Sequence, residues 1–213
     1  MLQNVDRERL IAQYLLQINA VVLKPSDPFV WASGWKSPIY CDNRLILSHP
    51  AIRAEVAKAF REAISTHYPQ AKSLSGVATG GIALAAIAAH TMELPMTYVR
   101  GEKKGHGRQN QVEGVVRPNE PIVVIEDLVS TGGSSIKAVE ALRDKGAKVL
   151  GLIAVFDYGF QAAREAFAQA GVKASSLTGY ETLLMEAIAL GYIDSMYAET
   201  LGKWRRDPAN WPA

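Results

Sequence analysis

Residues 122–135 read IVVIEDLVSTGGSS. Four β-branched apolar residues lead into two adjacent carboxylates, Glu126 and Asp127, and hydroxyls and glycines follow before a helical pattern sets in near Ser134. An unbroken apolar run of this length suits a strand buried on both faces. In an open α/β sheet, ligands gather beyond the C-terminal ends of the strands, and this run delivers its acids there. The turn Leu128, Val129, Ser130, Thr131, Gly132, Gly133, Ser134 opens onto a helix N-terminus, where free N–H groups and the helix dipole favour an anion. Glycine lets the backbone approach that anion closely. Acids beside a phosphate cradle make sense only if they serve another part of the ligand. Carboxylates accept hydrogen bonds from sugar hydroxyls and stabilise positive charge on a ribose ring, so the stretch fits a ribose phosphate. A merely capped helix with Ser130 or Thr131 as N-cap leaves the paired acids and paired glycines unexplained. There is no GxxxxGK[ST] and no GxGxxG after a strand, so the P-loop and dinucleotide readings fail.

Around this stretch, strand-like and helix-like segments alternate. Strands are expected at 73–78, 96–100, 122–125 and 148–156, and helices at 81–91, 134–145 and 161–169. Earlier, 6–16 and 50–67 carry helical spacing, with Pro50 suited to an opening turn, and 24–44 reads as irregular or a short hairpin. Residues 180–204 look mainly helical. The alternation argues for the α/β class, with parallel βαβ units and helices on both faces. No repeat or linker divides the 213 residues, which read as one domain: a hood over about 1–45, a core over about 46–175 and a C-terminal helical part over about 176–213.

Composition narrows the function classes. A hydrophobic share of 48% supports a substantial core, and a net charge of +2 gives no argument for nucleic acid or an anionic membrane. The most apolar segment, 81–90, is too short to span a bilayer, and the charged N-terminus lacks a signal-peptide core. The single cysteine, Cys41, excludes an internal disulfide and suits a reducing compartment, so a cytoplasmic protein is expected. Positive charge is local: in 100–108, Arg100, Lys103, Lys104, His106 and Arg108 face only Glu102. This run opens a connection of about twenty residues, long enough to suggest a functional loop, with a possible short strand at 114–116. Such a cationic loop is suited to covering a polyanion.

The stretch 122–135 resembles the signature of the type I phosphoribosyltransferases, which bind phosphoribosyl pyrophosphate (PRPP): apolar strand, two acids, then a hydroxyl- and glycine-rich loop. Three further segments narrow the resemblance to the orotate phosphoribosyltransferase family. VRGEKKGHGRQNQVEG (99–114) is similar to that family's catalytic loop, with Arg100, Lys104, His106 and Gly107 matching and Gly101 standing where a lysine is frequent. PFVWASGWKSPIYCDNR (28–44) is similar to its hood, with Lys36 matching the lysine that reaches into the site. GVATGGIALA (76–85) resembles the pyrophosphate loop, with Thr79 and Gly80 where some relatives have Tyr-Lys. Tyr158 stands near the position of a family arginine that contacts orotate, so that role has no assigned residue.

The resemblance implies a type I phosphoribosyltransferase fold, a central mostly parallel sheet flanked by helices with an N-terminal hood. It implies Mg²⁺-dependent transfer of ribosyl phosphate from PRPP to orotate, the ion resting on pyrophosphate and ribose oxygens rather than on a side-chain metal cluster. Glu126 and Asp127 would hold the ribose diol, and Ser130, Thr131, Gly132, Gly133 and Ser134 the 5′-phosphate. Arg100, Lys103, Lys104 and His106 would cover pyrophosphate, with Lys104 or His106 as proton donor. Lys36 would span base and pyrophosphate, Thr79 would face pyrophosphate, and Ser130 would lie beside orotate. A homodimer that shares the loop across subunits follows as well. Two rivals are a purine phosphoribosyltransferase, against which hood and loop speak, and a PRPP-sensing regulator, which would need a nucleic-acid surface not visible here.

Overall fold

The computed structural model describes residues 5–31, 34–101 and 111–211. The chain opens with α1 (Val5–Gln17), β1 (Val21–Leu23), β2 (Phe29–Val30), β3 (Lys36–Ser37), β4 (Ile39–Cys41), a 3₁₀ helix (Asn43–Ser48) and α2 (Pro50–His67). There follow β5 (Ser73–Val77), α3 (Gly80–Met92), β6 (Met96–Val99), β7 (Val112–Glu113), β8 (Pro121–Val129), α4 (Gly133–Asp144), β9 (Lys148–Asp157), α5 (Gln161–Gln169) and β10 (Ala174–Gly179). The chain closes with α6 (Tyr180–Ala189), a short 3₁₀ turn and α7 (Ala198–Arg206).

The central sheet runs β10-β9-β8-β5-β6-β7 and is parallel throughout except for the β6–β7 pair. Crossover helices α3, α4 and α5 make the parallel steps β5 to β6, β8 to β9 and β9 to β10, while β8 is reached from β7 through a loop. The strand pattern explains why both faces are covered. Val123 and Ile125 join an apolar layer that contains α1, α2, α3, α6 and α7 residues, while Ile122 and Val124 join a second layer with Ala138, Val139, Leu142 and Phe167 of α4 and α5. All four strand residues are fully buried, each worth roughly 1.5–3 kcal/mol of apolar transfer. Among the described residues no helix is long and apolar enough to cross a membrane.

Three expectations change. β8 does not stop before the acids but continues through them to Val129, because β9 keeps pairing with it (Glu126↔Ala154, Leu128↔Phe156) after β5 has left it at Ile125. The strand β10 was not anticipated: as the sheet's edge it is only half buried, and its Ala-Ser-Ser-Leu-Thr-Gly sequence lacks an apolar run. The short strand expected at 114–116 instead occupies Val112–Glu113, and Gly114, at φ +99°, turns the chain away there. The segment 24–44 forms two small antiparallel pairs, β2–β3 and β1–β4, outside the main sheet.

Candidate active site

The extra length of β8 separates its two acids. Side chains alternate across a strand, so neighbours face opposite sides. Glu126 turns inward and is 4% exposed; its Oε2 accepts from the Ser135 hydroxyl at 2.9 Å and its Oε1 from the Asp127 N–H at 3.0 Å. Burial, and after it the neighbouring Asp127, pushes the Glu126 carboxyl up to about 9. Asp127 is half buried, and its carbonyl accepts a 2.6 Å bond from Nδ2 of Asn43, a residue 1% exposed at the start of the 3₁₀ helix. The two acids expected to act alike on a diol thus stand in different surroundings.

The turn after β8 presents Ser130 half buried and Thr131, Gly133 and Ser134 exposed. Gly132 caps α4 with φ +82°, and a Cβ there would lie 3.1 Å from the Phe167 ring, so both backbone and space ask for glycine. No acid occupies the first turn of α4, which leaves its positive end and unpaired N–H groups to a ligand.

A second turn meets the last part of β8. Between β5 and α3 the chain passes through Ala78, exposed Thr79, Gly80 and Gly81, with a cis peptide between Ala78 and Thr79. A Cβ on Gly80 would overlap the Asp127 carboxylate, and one on Gly81 would come within 2.5 Å of the Ile125 carbonyl. The backbone of this turn is therefore flush against β8, with Thr79 at the rim.

Arg100 stands at the end of β6. Its N–H bonds to the Gln111 carbonyl at 2.9 Å, Gln111 Nε2 returns a bond to its carbonyl at 3.1 Å, and its guanidinium reaches Glu113 at 3.4 Å. These contacts bring both ends of the cationic stretch together beside the second turn, whose Ala78 N–H bonds to Val99 at 2.8 Å. Lys103, Lys104 and His106 lie outside the described residues.

The hood approaches from the other side. Lys36 has an exposed side chain on β3, and its carbonyl accepts from the buried indole N–H of Trp204 on α7 at 3.1 Å. Trp204 packs against Tyr158, whose N–H bonds to the last carbonyl of β8, Val129, at 3.1 Å. The hood hairpin therefore sits over the C-terminal ends of β8 and β9. Sequence reasoning passed over Asn43 and Ser135 and gave Trp204 only an anchoring part in a terminal helix. Asn43 and Ser135 lay inside quoted motifs without a chemical signal of their own.

The sequence pattern of the phosphoribosyl transferase domain family matches residues 43–175. The orotate phosphoribosyltransferase of Cytophaga hutchinsonii is 50% identical over 201 residues, 94% of this chain and 96% of that one. The chain belongs to the orotate phosphoribosyltransferase family. Among solved structures, the orotate phosphoribosyltransferase of Aeropyrum pernix superposes on this family member with a TM-score of 0.75 at 32% identity, covering 86% of this chain and 99% of that one. At the level of fold alone, the Mycobacterium tuberculosis orotate phosphoribosyltransferase in complex with PRPP gives a TM-score of 0.64 at 23% identity, covering 83% and 98%. This orotate phosphoribosyltransferase thus carries one glycine turn set against Asp127 and another at the head of α4, with a hood at the ends of the same strands.

Proposed function

We propose that this orotate phosphoribosyltransferase moves the ribosyl phosphate of PRPP onto orotate, giving orotidine 5′-monophosphate and pyrophosphate for pyrimidine (UMP) synthesis, with PRPP laid across the two turns. The observation that carries this reading is the contact between the Asp127 carboxylate and the Gly80 backbone. In this reading Asp127 serves as a diol acceptor, with an anion cup at the head of α4 on one side and the backbone of the Gly80 turn on the other. A sugar bearing phosphate at one end and pyrophosphate at the other has that sequence of groups.

In this reading Ser130, Thr131, Gly132, Gly133 and Ser134 hold the 5′-phosphate and Asp127 holds the ribose hydroxyls. Glu126 acts from behind, bonded to Ser135 and to the Asp127 N–H, and so fixes the strand that carries Asp127. Thr79 and the N–H groups of its turn face pyrophosphate, which Arg100, Lys103, Lys104 and His106 cover. The bond from ribose C1 to pyrophosphate breaks with its electron pair leaving on oxygen, while N1 of orotate bonds to C1 from the opposite face and its N1–H proton passes to water. The Asp127 carboxylate favours the positive charge that builds on the ring, and the cationic residues favour the negative charge that builds on the leaving group. Lys104 or His106 donates a proton to pyrophosphate. Orotate brings its own negative charge and needs no strong base. Lys36 spans base and pyrophosphate.

The residues suit Mg²⁺ carried mainly by the ligand: Asp127 would offer one half-buried hard oxygen, and the remaining contacts would come from PRPP and water. When bound, the ion supplies charge neutralisation on the departing pyrophosphate. Hood, core and C-terminal part work as one unit, in the cytoplasm, and in a homodimer whose cationic loop serves the neighbouring subunit's site.

The test follows orotate by its ultraviolet absorbance with PRPP and Mg²⁺, beside adenine, hypoxanthine and uracil. Loss of orotate that depends on both PRPP and Mg²⁺ is expected. Reaction of another base with orotate untouched would overturn the base assignment, and PRPP binding without any transfer would overturn catalysis.

A further inference from the structure

The C-terminal helix α7 carries the most deeply buried indole of the chain. Trp204 has no exposed surface, and its ring touches Trp31 edge-on at 5.8 Å, Tyr158 at 5.7 Å, Phe160 at 5.4 Å and Tyr180 at 5.6 Å between centroids. A tryptophan so enclosed must place its N–H on an acceptor or forfeit that hydrogen bond. The acceptor is not in its own helix or in the sheet. It is the carbonyl of Lys36, 168 positions earlier, at 3.1 Å.

Lys36 needs such a support. It sits on a hairpin of two-residue strands, paired only as Phe29↔Ser37 and Val30↔Lys36 and separate from the main sheet. An isolated hairpin is marginal in water, so the place of this one is set by what it leans on. Trp31, at the hairpin's bend, accepts from the Gly34 N–H at 2.8 Å and donates to the Trp35 carbonyl at 2.9 Å, and its ring stands against Trp204. The support is itself held: the Tyr180 hydroxyl on α6 donates to the Leu201 carbonyl of α7 at 3.0 Å.

We propose that Trp204 is a positioning residue for Lys36: α7 fixes the backbone of the hood lysine through the indole N–H and so places its ammonium over the reacting groups. The inference rests on the role given to Lys36 above. The exposed ammonium has a flexible stem, and the protein limits its reach by fixing the Cα from which it starts. Displacing a reacting group by about 1 Å can cost as much as 10²-fold in rate.

The test is a double-mutant cycle of Trp204→Phe with Lys36→Ala, read by steady-state kinetics for orotate and PRPP and by thermal melting. Phenylalanine keeps part of the aromatic packing and removes the donor, and the melting temperature reads the cost of the space it leaves. Trp204→Phe is expected to lower kcat by about tenfold with little change in the KM for PRPP, and to add no further loss once Lys36 is alanine. Tyr180→Phe, which releases α7 from α6 without changing core volume, should show the same non-additivity in weaker form and serves if Trp204→Phe melts below the assay temperature. A loss that multiplies onto a slow Lys36→Ala enzyme would overturn the positioning role alone. A Lys36→Ala enzyme with wild-type rate would overturn both that role and the reading of Lys36 on which it stands.

Discussion

Gly80 and Asp127 are in backbone-to-carboxylate contact, although 47 positions separate them: a Cβ on Gly80 would occupy the space of the Asp127 carboxylate. The contact joins the β5–α3 turn to β8 and closes the Gly80 side of the carboxylate, which stays half buried.

Gly80→Ala tests that relation directly. The added methyl must push the carboxylate aside or lift the turn, and overpacking of this kind typically costs about 1–3 kcal/mol of stability. Because the displaced group is the one assigned to the ribose, turnover should fall by about 10²-fold, more than the modest drop in melting temperature would suggest. Wild-type turnover in Gly80→Ala would show that Asp127 can move without consequence.

Glu126 makes stability depend on pH. Its folded-state carboxyl is raised from the ordinary 4.5 to about 9, by burial first and by Asp127 second. The folded protein therefore holds this proton more tightly than the unfolded chain. Its contribution is full below the unfolded value and is lost as pH rises through the folded one. Glu126→Gln, neutral at every pH, should flatten the decline in melting temperature between about pH 5 and pH 9, with its gain over the parent largest at the alkaline end. Equal slopes for the two proteins would mean that Glu126 is ionised in the fold.

Asn43 offers a prediction by comparison. Its amide nitrogen donates to the Asp127 carbonyl and its oxygen accepts from the Cys41 thiol at 3.4 Å, so the residue ties the hood to β8. Asn43→Ala leaves the Asp127 carbonyl without that partner, at about 1–3 kcal/mol. Asn43→Asp keeps the shape but points an acceptor at an acceptor, and should melt lower than Asn43→Ala and turn over more slowly. The reverse order would show that the Asn43–Asp127 bond does not hold the loop.

Much of this arrangement was legible in the sequence because it rests on local chemistry. The run 122–125 announced a doubly buried strand, and Val123 and Ile125 do face one layer while Ile122 and Val124 face the other. Glycine pairs at 80–81 and 132–133 marked the places where backbone approaches backbone or ligand. What escaped depends on partners far away in the chain. The end of β8 is set by how long β9 continues beside it, not by its own residues. The edge strand β10 has no apolar run because one side of it meets no neighbour. Two acids side by side in sequence looked equivalent, and their opposite facing on β8 makes them different: Glu126 is buried and bonded to Ser135, while Asp127 stands half buried against Gly80. The indole of Trp204 acquires its role from a hairpin at the other end of the chain.

The shared-site homodimer can be tested by subunit complementation. Lys104→Ala and Asp127→Asn each disable one side of the proposed site, the first on the cationic loop and the second on β8. If the loop of one subunit serves its neighbour, a mixed dimer places both lesions in one site and leaves the other site intact. Random mixing of two inactive homodimers in equal amounts should then restore roughly a quarter of parental activity, since half of the dimers are mixed and each has one working site. A loop that serves its own subunit instead leaves no intact site in a mixed dimer, because each site then carries one lesion. Restored activity after unfolding and refolding the mixture, and none when the two proteins are only combined on ice, establishes the exchange across subunits. Absence of activity in both cases assigns Arg100 and its neighbours to the site of their own chain.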